Sequence, residues 1–311
     1  MPGTLRARLR KATGILTAIL LITLALMIGP QRVGAAGLCP VYNDGTYSFT
    51  TLVDRKGVAI CRQDKVGVGT IAYWTLVDFK AGARARIVSQ TATGTTVGQP
   101  NTLFVKRRAP DWYTYVGANV TSPSGGALFS VMNASIFGSD LGSTTTINYP
   151  LRQDYQVKTT GAAPGSNPKQ WLGFGGSTLA YGYLGRYDYN GQPYLGNDPN
   201  IINGLYTNVR DYVVSLGSTA GIETTTKTKR VYVGFVDTDG NTTGDRMIVL
   251  QTNVGYTVAD ADGALGWWGC PSGWRIQLDG GGSVQFYANN GAQYLTSLRT
   301  VPSVIAVWQT P

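Results

Sequence analysis

The sequence of 311 residues contains no histidine, and this absence excludes several classes of catalytic site. Ser-His-Asp triads, Cys-His pairs and HExxH zinc sites all need an imidazole as general base or metal ligand. Glutamate occurs once, as Glu223, and the 41 glycines are unfavourable for an all-helical protein. Any chemistry therefore has to use carboxylates, hydroxyl groups, arginine, lysine, tyrosine or backbone amides.

Cysteine is also scarce, with Cys39, Cys61 and Cys270 as its three occurrences. In an oxidising compartment two of them can pair, and Cys39 and Cys61 are the nearest in sequence. Spacing alone does not determine which cysteines pair, so the connectivity stays open. The odd count leaves one thiol over.

The first 36 residues have the pattern of a secretory signal peptide. A basic start, MPGTLRARLRK, is followed by the apolar stretch 12–29 and by small residues that fit a cleavage site after Ala35 or Ala36. The apolar stretch is also long enough for an uncleaved anchor helix, which is the alternative. Both interpretations export residues 37–311. We therefore expect a secreted or extracytoplasmic protein that contacts a membrane only through an uncleaved N-terminal segment.

Much of the positive charge belongs to this leader. Positions 1–36 hold five basic residues and no acidic one, so the formal net charge of +9 falls to +4 for positions 37–311. The remaining basic runs, at 105–108 and 227–230, are too short to predict a nucleic-acid interface. The mild positive balance suits anionic ligands, although ordinary solvated charge accounts for it equally well.

The rest of the chain is dominated by short strand patterns. β-Branched and aromatic segments bounded by turn residues predict strands at 57–62, 70–79, 85–90, 127–134, 230–236, 246–252 and 303–309. Helical periodicity occurs at 198–217, where Asp198 is a candidate N-cap, and at 257–269. No repeat or long linker divides residues 37–311. We predict one β-rich α+β domain with mixed sheets and a few helices.

Two further patterns each have a functional and a structural interpretation. The stretch 237–245 spaces oxygen ligands as calcium loops do, but its glycine is displaced and Ile248 occupies the position of the bidentate glutamate. We favour a hairpin turn there and predict neither a metal nor another cofactor. Tyrosines lie at 181, 183, 187 and 189. Their spacing favours a half-buried aromatic strand face, with sugar stacking as the alternative.

The most unusual stretch is LDGGGS, at 278–283. Three consecutive glycines lose much backbone entropy on folding and bring no side chain to pack, so a plain strand does not need them. Such glycines can turn successive N–H groups toward one point and form an anion-binding concavity. A tight turn between two strands, with Asp279 capping its own backbone, explains the same residues without a ligand.

Residues 274–308, which contain this stretch, resemble the C-terminal signature of the phosphodiester glycosidase family. The matching features are the strand that ends in LDGGGS, the strand after it, Arg299, and the dipeptide Val301-Pro302 before a final apolar strand. Residues 229–269 are similar to the family's arginine-containing strand, hairpin, partner strand and helix.

A third segment, 130–137, is similar to the family's Asn-Gly-Gly-Tyr-Phe element. Ala134 and Ser135 stand where that element has glycines, so a ligand would approach the backbone less closely here. The family also more often has a loop and a strand where residues 198–217 show helical periodicity, and both interpretations of that segment stay open.

The resemblance implies a hydrolase that cleaves the glycosidic bond of a sugar-1-phosphodiester in a surface or extracellular glycan. Asp279 is its implied catalytic residue, acting as a base or as a nucleophile. The residues expected to bind the phosphorylated glycan are Asn133, Arg230, Gly280, Gly281, Gly282, Ser283 and Arg299. The alternative is a binding protein that holds an anionic polysaccharide without turnover, for example during export.

Overall fold

A computed structural model of the chain describes residues 37–162, 169–187, 209–215, 225–289 and 291–311. Segment 1–36, and with it the predicted signal peptide or anchor, lies outside the described residues. The unit Gly37–Pro311 groups together by its internal contacts. No helix in the described part of the chain is long and apolar enough to cross a membrane.

Within these residues the chain forms nineteen strands and two α-helices. The strands are β1 (Tyr47–Arg55), β2 (Val58–Lys65), β3 (Gly69–Asp78), β4 (Arg84–Ser89), β5 (Leu103–Val105), β6 (Leu128–Asn133), β7 (Phe137–Leu141), β8 (Thr144–Ile147), β9 (Leu151–Gln153), β10 (Gln156–Thr159), β11 (Lys169–Gly175), β12 (Tyr181–Tyr187), β13 (Val209–Ser215), β14 (Val231–Val236), β15 (Arg246–Thr252), β16 (Arg275–Gln277), β17 (Phe286–Ala288), β18 (Gln293–Leu295) and β19 (Ser303–Trp308). The helices are α1 (Ala109–Asn119) and α2 (Val258–Trp267).

These strands form four sheets, with the strand orders β1-β2-β3-β15-β14-β16, β10-β9-β13-β11-β12, β18-β17-β6-β19-β4 and β5-β8-β7. The β-rich prediction is confirmed, and all seven predicted strands are present. Every strand pairing among the described residues is antiparallel, so the prediction of mixed sheets is wrong. Parallel pairs need long crossover connections, whereas pairs such as β2 and β3 or β14 and β15 are joined directly by turns.

The largest apolar cluster joins side chains of the three larger sheets. Val249 of β15, Phe174 of β11 and Ile305 of β19 all belong to it and are inaccessible to solvent. Ile276 of β16 and Phe286 of β17 belong to the same cluster. Burial of such side chains contributes about 1.5–3 kcal/mol each. The core therefore fixes the two short strands between which the glycine-rich stretch lies.

The two helix predictions have different outcomes. Helix α2 confirms the prediction at 257–269, and it begins with a capping box in which Thr257 Oγ1 accepts the N–H of Asp260 at 3.1 Å. The prediction of a helix at 198–217 is wrong over Val209–Ser215, which forms β13. The rest of that prediction lies outside the described residues.

The sheet explains the misleading pattern in β13. This strand pairs with β11 on one side and β9 on the other, and Val209, Tyr212 and Val213 are all buried. Asp211, between them, is buried as well and pairs with Arg86 at 3.0 Å. The three apolar residues therefore lie at 209, 212 and 213, which matches a helical period and not the alternation of a strand. Helix α1 was not predicted; Pro110 in its first turn is the available signal.

The cysteines fall into a pair and a single thiol. Cys39 and Cys61 form a disulfide, which ties the start of the described chain to β2. Cys270 is free and buried beside β14, where a Cβ on Gly234 would lie 2.5 Å from its Sγ. Burial raises the pKa of the Cys270 thiol to about 12.

Strands β14 and β15 form the predicted hairpin, and residues 237–245 are its turn, the acidic loop. The carboxylates of Asp237, Asp239 and Asp245 lie within 4.8 Å of one another. Lys80 Nζ lies 2.8 Å from Asp239 and 3.0 Å from Asp245, so it compensates much of their charge. Asp237 accepts the backbone N–H of Gly240 at 2.7 Å. These contacts account for the acidic residues as parts of the turn.

Two of the four tyrosines singled out above lie side by side on β12. Tyr181 and Tyr183 are half-buried, and their ring centroids are 5.1 Å apart. This pair confirms the predicted aromatic strand face. Residue 189 lies outside the described residues.

Candidate active site

Asp279 lies where two sheets meet, directly after β16. Its backbone N–H donates to the carbonyl of Ala134 at 3.1 Å, just beyond β6. The preceding residue, Leu278, donates its N–H to the carbonyl of Val231 in β14 at 2.9 Å. The side chain of Asn133 donates to the carbonyl of Asp279 at 2.7 Å. Contacts from both neighbouring strands therefore fix the backbone of this aspartate.

The carboxyl group of Asp279 is in an unusual environment. Its Oδ2 atom is shielded from solvent and has no hydrogen-bond partner of good geometry among the described residues. Burial raises the pKa of Asp279 from 3.8 to about 6, although Ser283, Arg299 and the N–H of Gly280 act in the opposite direction. A carboxyl with a pKa close to neutrality is suited to proton transfer.

Arg299 supplies a positive charge close to this carboxyl. The residue is exposed, its guanidinium carbon lies 4.6 Å from the ring centroid of Phe137, and its charge lowers the pKa of Asp279. Its backbone is anchored, because the carbonyl of Arg299 accepts from Gln285 Nε2 at 2.6 Å. Within the described chain its guanidinium makes no ion pair. The charge is therefore available to an anionic ligand.

The glycine turn, residues 279–283, is pressed against the start of β14. Gly281 has φ +57° and donates its N–H to the carbonyl of Lys229 at 2.8 Å. A Cβ on Gly280 would lie 2.9 Å from that carbonyl oxygen. The N–H of Ser283 donates to the carbonyl of Gly280 at 3.1 Å, and the Ser283 side chain is inaccessible to solvent. Close backbone approach and a left-handed residue therefore explain two of the glycines.

The hydrogen bonds within the glycine turn concern the prediction that its N–H groups form an anion-binding concavity. The N–H groups of Gly281 and Ser283 donate to backbone carbonyls, so neither is directed at a ligand in this structure. The buried Ser283 Oγ makes no hydrogen bond of good geometry. Within the glycine turn, Ser283 Oγ and Asp279 Oδ2 are the buried side-chain atoms without a hydrogen bond of good geometry among the described residues, and Ser283 is close enough to Asp279 to lower the pKa of its carboxyl.

Two residues predicted to bind substrate lie near Asp279 but bind protein groups. Arg230 is almost completely buried, and its guanidinium donates to the carbonyls of Tyr256 at 3.1 Å and Thr226 at 2.9 Å. Asn133 is buried as well, and its Oδ1 accepts the N–H of Gln285 at 3.0 Å while its Nδ2 contacts Asp279. In this structure both side chains fix the segments around the site.

An open cavity of about 360 Å³ lies against the glycine turn. It is lined by Thr228, Lys229, Gly281, Gly282, Val284, Thr296 and Ser297. None of these residues is acidic. Sequence reasoning missed Lys229, Thr228 and Thr296, although Lys229 precedes Arg230 in the predicted strand and was the nearest available signal. The cavity adds space and hydrogen-bond donors beside the turn that carries Asp279.

No protein-family model and no curated protein matches this chain. Among solved structures, it is similar to the zebrafish N-acetylglucosamine-1-phosphodiester alpha-N-acetylglucosaminidase catalytic domain, auto-inhibited by its pro-peptide, with 12% identity over 86% of this chain and 83% of that chain and a TM-score of 0.45. A hypothetical protein from Synechocystis has 11% identity over 84% of this chain and 64% of that chain, with a TM-score of 0.47. A protein from Burkholderia pseudomallei K96243, described as exported, has 11% identity over 78% of this chain and 75% of that chain, with a TM-score of 0.46. These are distant similarities of fold and carry no argument about function.

Proposed function

We propose that the chain is a secreted hydrolase that cleaves the glycosidic bond of a sugar-1-phosphodiester in a surface or extracellular glycan. The observation that carries the proposal is Asp279, a partly exposed residue whose carboxyl Oδ2 is shielded from solvent and whose pKa is raised to about 6, beside the exposed Arg299. The resemblance of residues 274–308 to phosphodiester glycosidases supports the type of reaction. The disulfide between Cys39 and Cys61 supports an oxidising, extracytoplasmic location.

The chemistry needs Asp279 in its ionised form. Above its pKa the carboxylate either removes a proton from an attacking water molecule, or attacks the anomeric carbon itself and forms a glycosyl ester. In the second route water then hydrolyses this ester, which releases the sugar and a proton and restores the carboxylate. The bond between the anomeric carbon and the phosphate oxygen breaks, and that oxygen keeps the electron pair. Because the leaving group is a stable phosphate monoester, it does not need the proton that an alkoxide requires. One carboxyl group can therefore suffice.

Arg299 stabilises the charge that develops on the departing phosphate. Its planar guanidinium matches phosphate oxygens, and it is exposed next to the carboxyl. The buried Ser283 hydroxyl is the second candidate donor. We assign Asn133 and Arg230 a positioning role, because their side chains bind backbone groups on either side of Asp279 and the glycine turn.

The test compares wild-type protein with Asp279→Asn. This change keeps the size of the side chain but removes its charge and basicity, so we expect kcat for a sugar-1-phosphodiester to fall by about 100-fold or more. Asp54→Asn, at an exposed site on β1, is the matched control and should retain full activity. Sugar release is measured at equal folded concentrations. An Asp279→Asn variant within about threefold of wild type would show that the catalytic carboxyl is elsewhere.

A non-catalytic binding protein for an anionic polysaccharide is the second candidate function. The exposed Arg299 and the open cavity beside the glycine turn favour it, because they suit binding of anions whether or not turnover follows. In that case wild-type protein releases no sugar from any phosphodiester tested, and Asp279→Asn changes only the affinity.

A further inference from the structure

We propose that Lys229 is the residue that selects a phosphorylated ligand, and that it does so from the cavity beside the glycine turn. This inference deepens the proposed function and rests on it for the identity of the site. Arg230 and Arg299 were the cations predicted from the sequence for this role, and Arg230 is the neighbour of Lys229. The structure places the two neighbouring cations in opposite environments, and this contrast carries the inference.

The backbone of Lys229 is tied directly to the glycine turn. Its carbonyl accepts the N–H of Gly281 at 2.8 Å. A Cβ on Gly280 would lie 2.9 Å from the same carbonyl oxygen. Arg230 is directed inward, where it donates to the carbonyls of Tyr256 and Thr226, whereas Lys229 and Thr228 line the cavity.

Lys229 is the single charged residue in the lining of this cavity. It is half-buried, and it makes no ion pair with any acidic residue in the described ranges. Thr228 and Thr296 add hydroxyl groups to the same wall. A lysine and two threonines among the lining residues, with no carboxylate to compete, form a donor set that suits the oxygens of a phosphoryl group.

The position of the cavity indicates which part of a substrate it holds. Gly281 and Gly282 form part of its wall, whereas Asp279, at the start of the same turn, does not line it. A phosphoryl group bound by Lys229 would therefore lie beside the reacting carboxyl and not on it. We infer that the cavity takes the phosphate and the group attached beyond it, and that the sugar ring lies at Asp279.

Isothermal titration calorimetry of the full chain with inorganic phosphate and with a sugar-1-phosphate tests this inference. Lys229→Gln should weaken binding of the sugar-1-phosphate at least tenfold, or about 1.4 kcal/mol, and Lys229→Arg should restore much of it. Lys227→Gln is the matched control, because it removes the same charge two residues away, at an exposed residue outside the cavity lining. We expect its affinity to stay within about twofold of wild type, a change that corresponds to less than about 0.5 kcal/mol.

Equal affinities for Lys229→Gln and Lys227→Gln, or no binding of either phosphate ligand by wild type, would overturn the inference. If Lys229→Gln is less stable to heat than wild type, Lys229→Met, which keeps the aliphatic stem, replaces it. The readout is binding and not turnover. Loss of sugar-1-phosphate affinity in Lys229→Gln therefore supports the inference even if the wild-type protein hydrolyses nothing. If the wild-type protein is active and Lys229→Gln binds the sugar-1-phosphate as tightly as wild type does, the inference is refuted while the proposed function stands.

Discussion

Asp279 should destabilise the folded protein at neutral pH, and its replacement by asparagine should remove this cost. The pKa of the carboxyl is raised from 3.8 to about 6 by burial. The folded state therefore binds a proton more tightly than the unfolded state does. Stability contributed by this group is fully present below pH 3.8 and is lost as the pH rises through about 6.

The size of the effect follows from the difference of about two pKa units. Each unit corresponds to about 1.4 kcal/mol, so ionisation of Asp279 should cost the folded protein about 3 kcal/mol at pH 8. Asparagine resembles the protonated carboxyl and does not titrate. We expect Asp279→Asn to be close to wild type in stability near pH 4, and more stable than wild type by about 3 kcal/mol at pH 8.

Urea unfolding of both proteins at several pH values measures this difference. Asp54→Asn is again the control, because it removes a carboxyl group at an exposed position. The difference in free energy of unfolding between Asp54→Asn and wild type should not grow by about 3 kcal/mol from pH 4 to pH 8, as it should for Asp279→Asn. A stability difference between Asp279→Asn and wild type that is constant from pH 4 to pH 8 would refute the reasoning. The same pKa predicts that catalytic activity rises with pH through about 6, because the proposed mechanism needs the ionised carboxylate.

Three further predictions follow from contacts elsewhere in the fold. Removing the disulfide by replacing Cys39 and Cys61 with alanine should lower the free energy of unfolding by about 3 kcal/mol, given their sequence separation of 22 residues; an unchanged urea midpoint would contradict this. Gly280→Ala should destabilise the protein by about 1–3 kcal/mol, because its Cβ would lie 2.9 Å from a backbone oxygen. Gly282→Ala should not, because a Cβ there meets nothing within 4 Å, and equal thermal stabilities of the two variants would show that the turn adjusts freely. Chelators should leave the melting temperature unchanged, because a lysine and backbone N–H groups already compensate the acidic loop, and a rise of several degrees on adding calcium would reverse that interpretation.

The sequence was sufficient to predict the strands because their patterns are local. Short β-branched runs between turn residues predicted the strands of the β14–β15 hairpin and the apolar strand β19, and the structure contains them at nearly the same positions. The pattern at 209–215 was misleading because Asp211 is buried in an ion pair with Arg86, which breaks the apolar alternation of this strand. Its strand character depends on two partners distant in sequence, which local spacing does not specify.

The candidate site was predictable in part for the same reason. Asp279 and the glycines could be identified from one short stretch, because three consecutive glycines need a local explanation. The roles of Arg230 and Lys229 could not, since they depend on which of two adjacent side chains faces the interior. That choice is made by the carbonyls of Tyr256 and Thr226, which receive the guanidinium of Arg230. Thr226 is local, but Tyr256 is 26 residues away, and only the assembled fold brings its carbonyl into reach.

The buried thiol of Cys270 makes the protein a reporter of its own unfolding. With a pKa of about 12, the thiol is almost entirely protonated at neutral pH, and it is shielded from reagents in the folded state. It should therefore react with a thiol-specific label only when α2 separates from β14 or the whole unit opens. The same protection keeps this third cysteine from exchanging with the disulfide once folding is complete. The rate of labelling in native buffer would thus measure how often this part of the molecule opens, with no engineered probe.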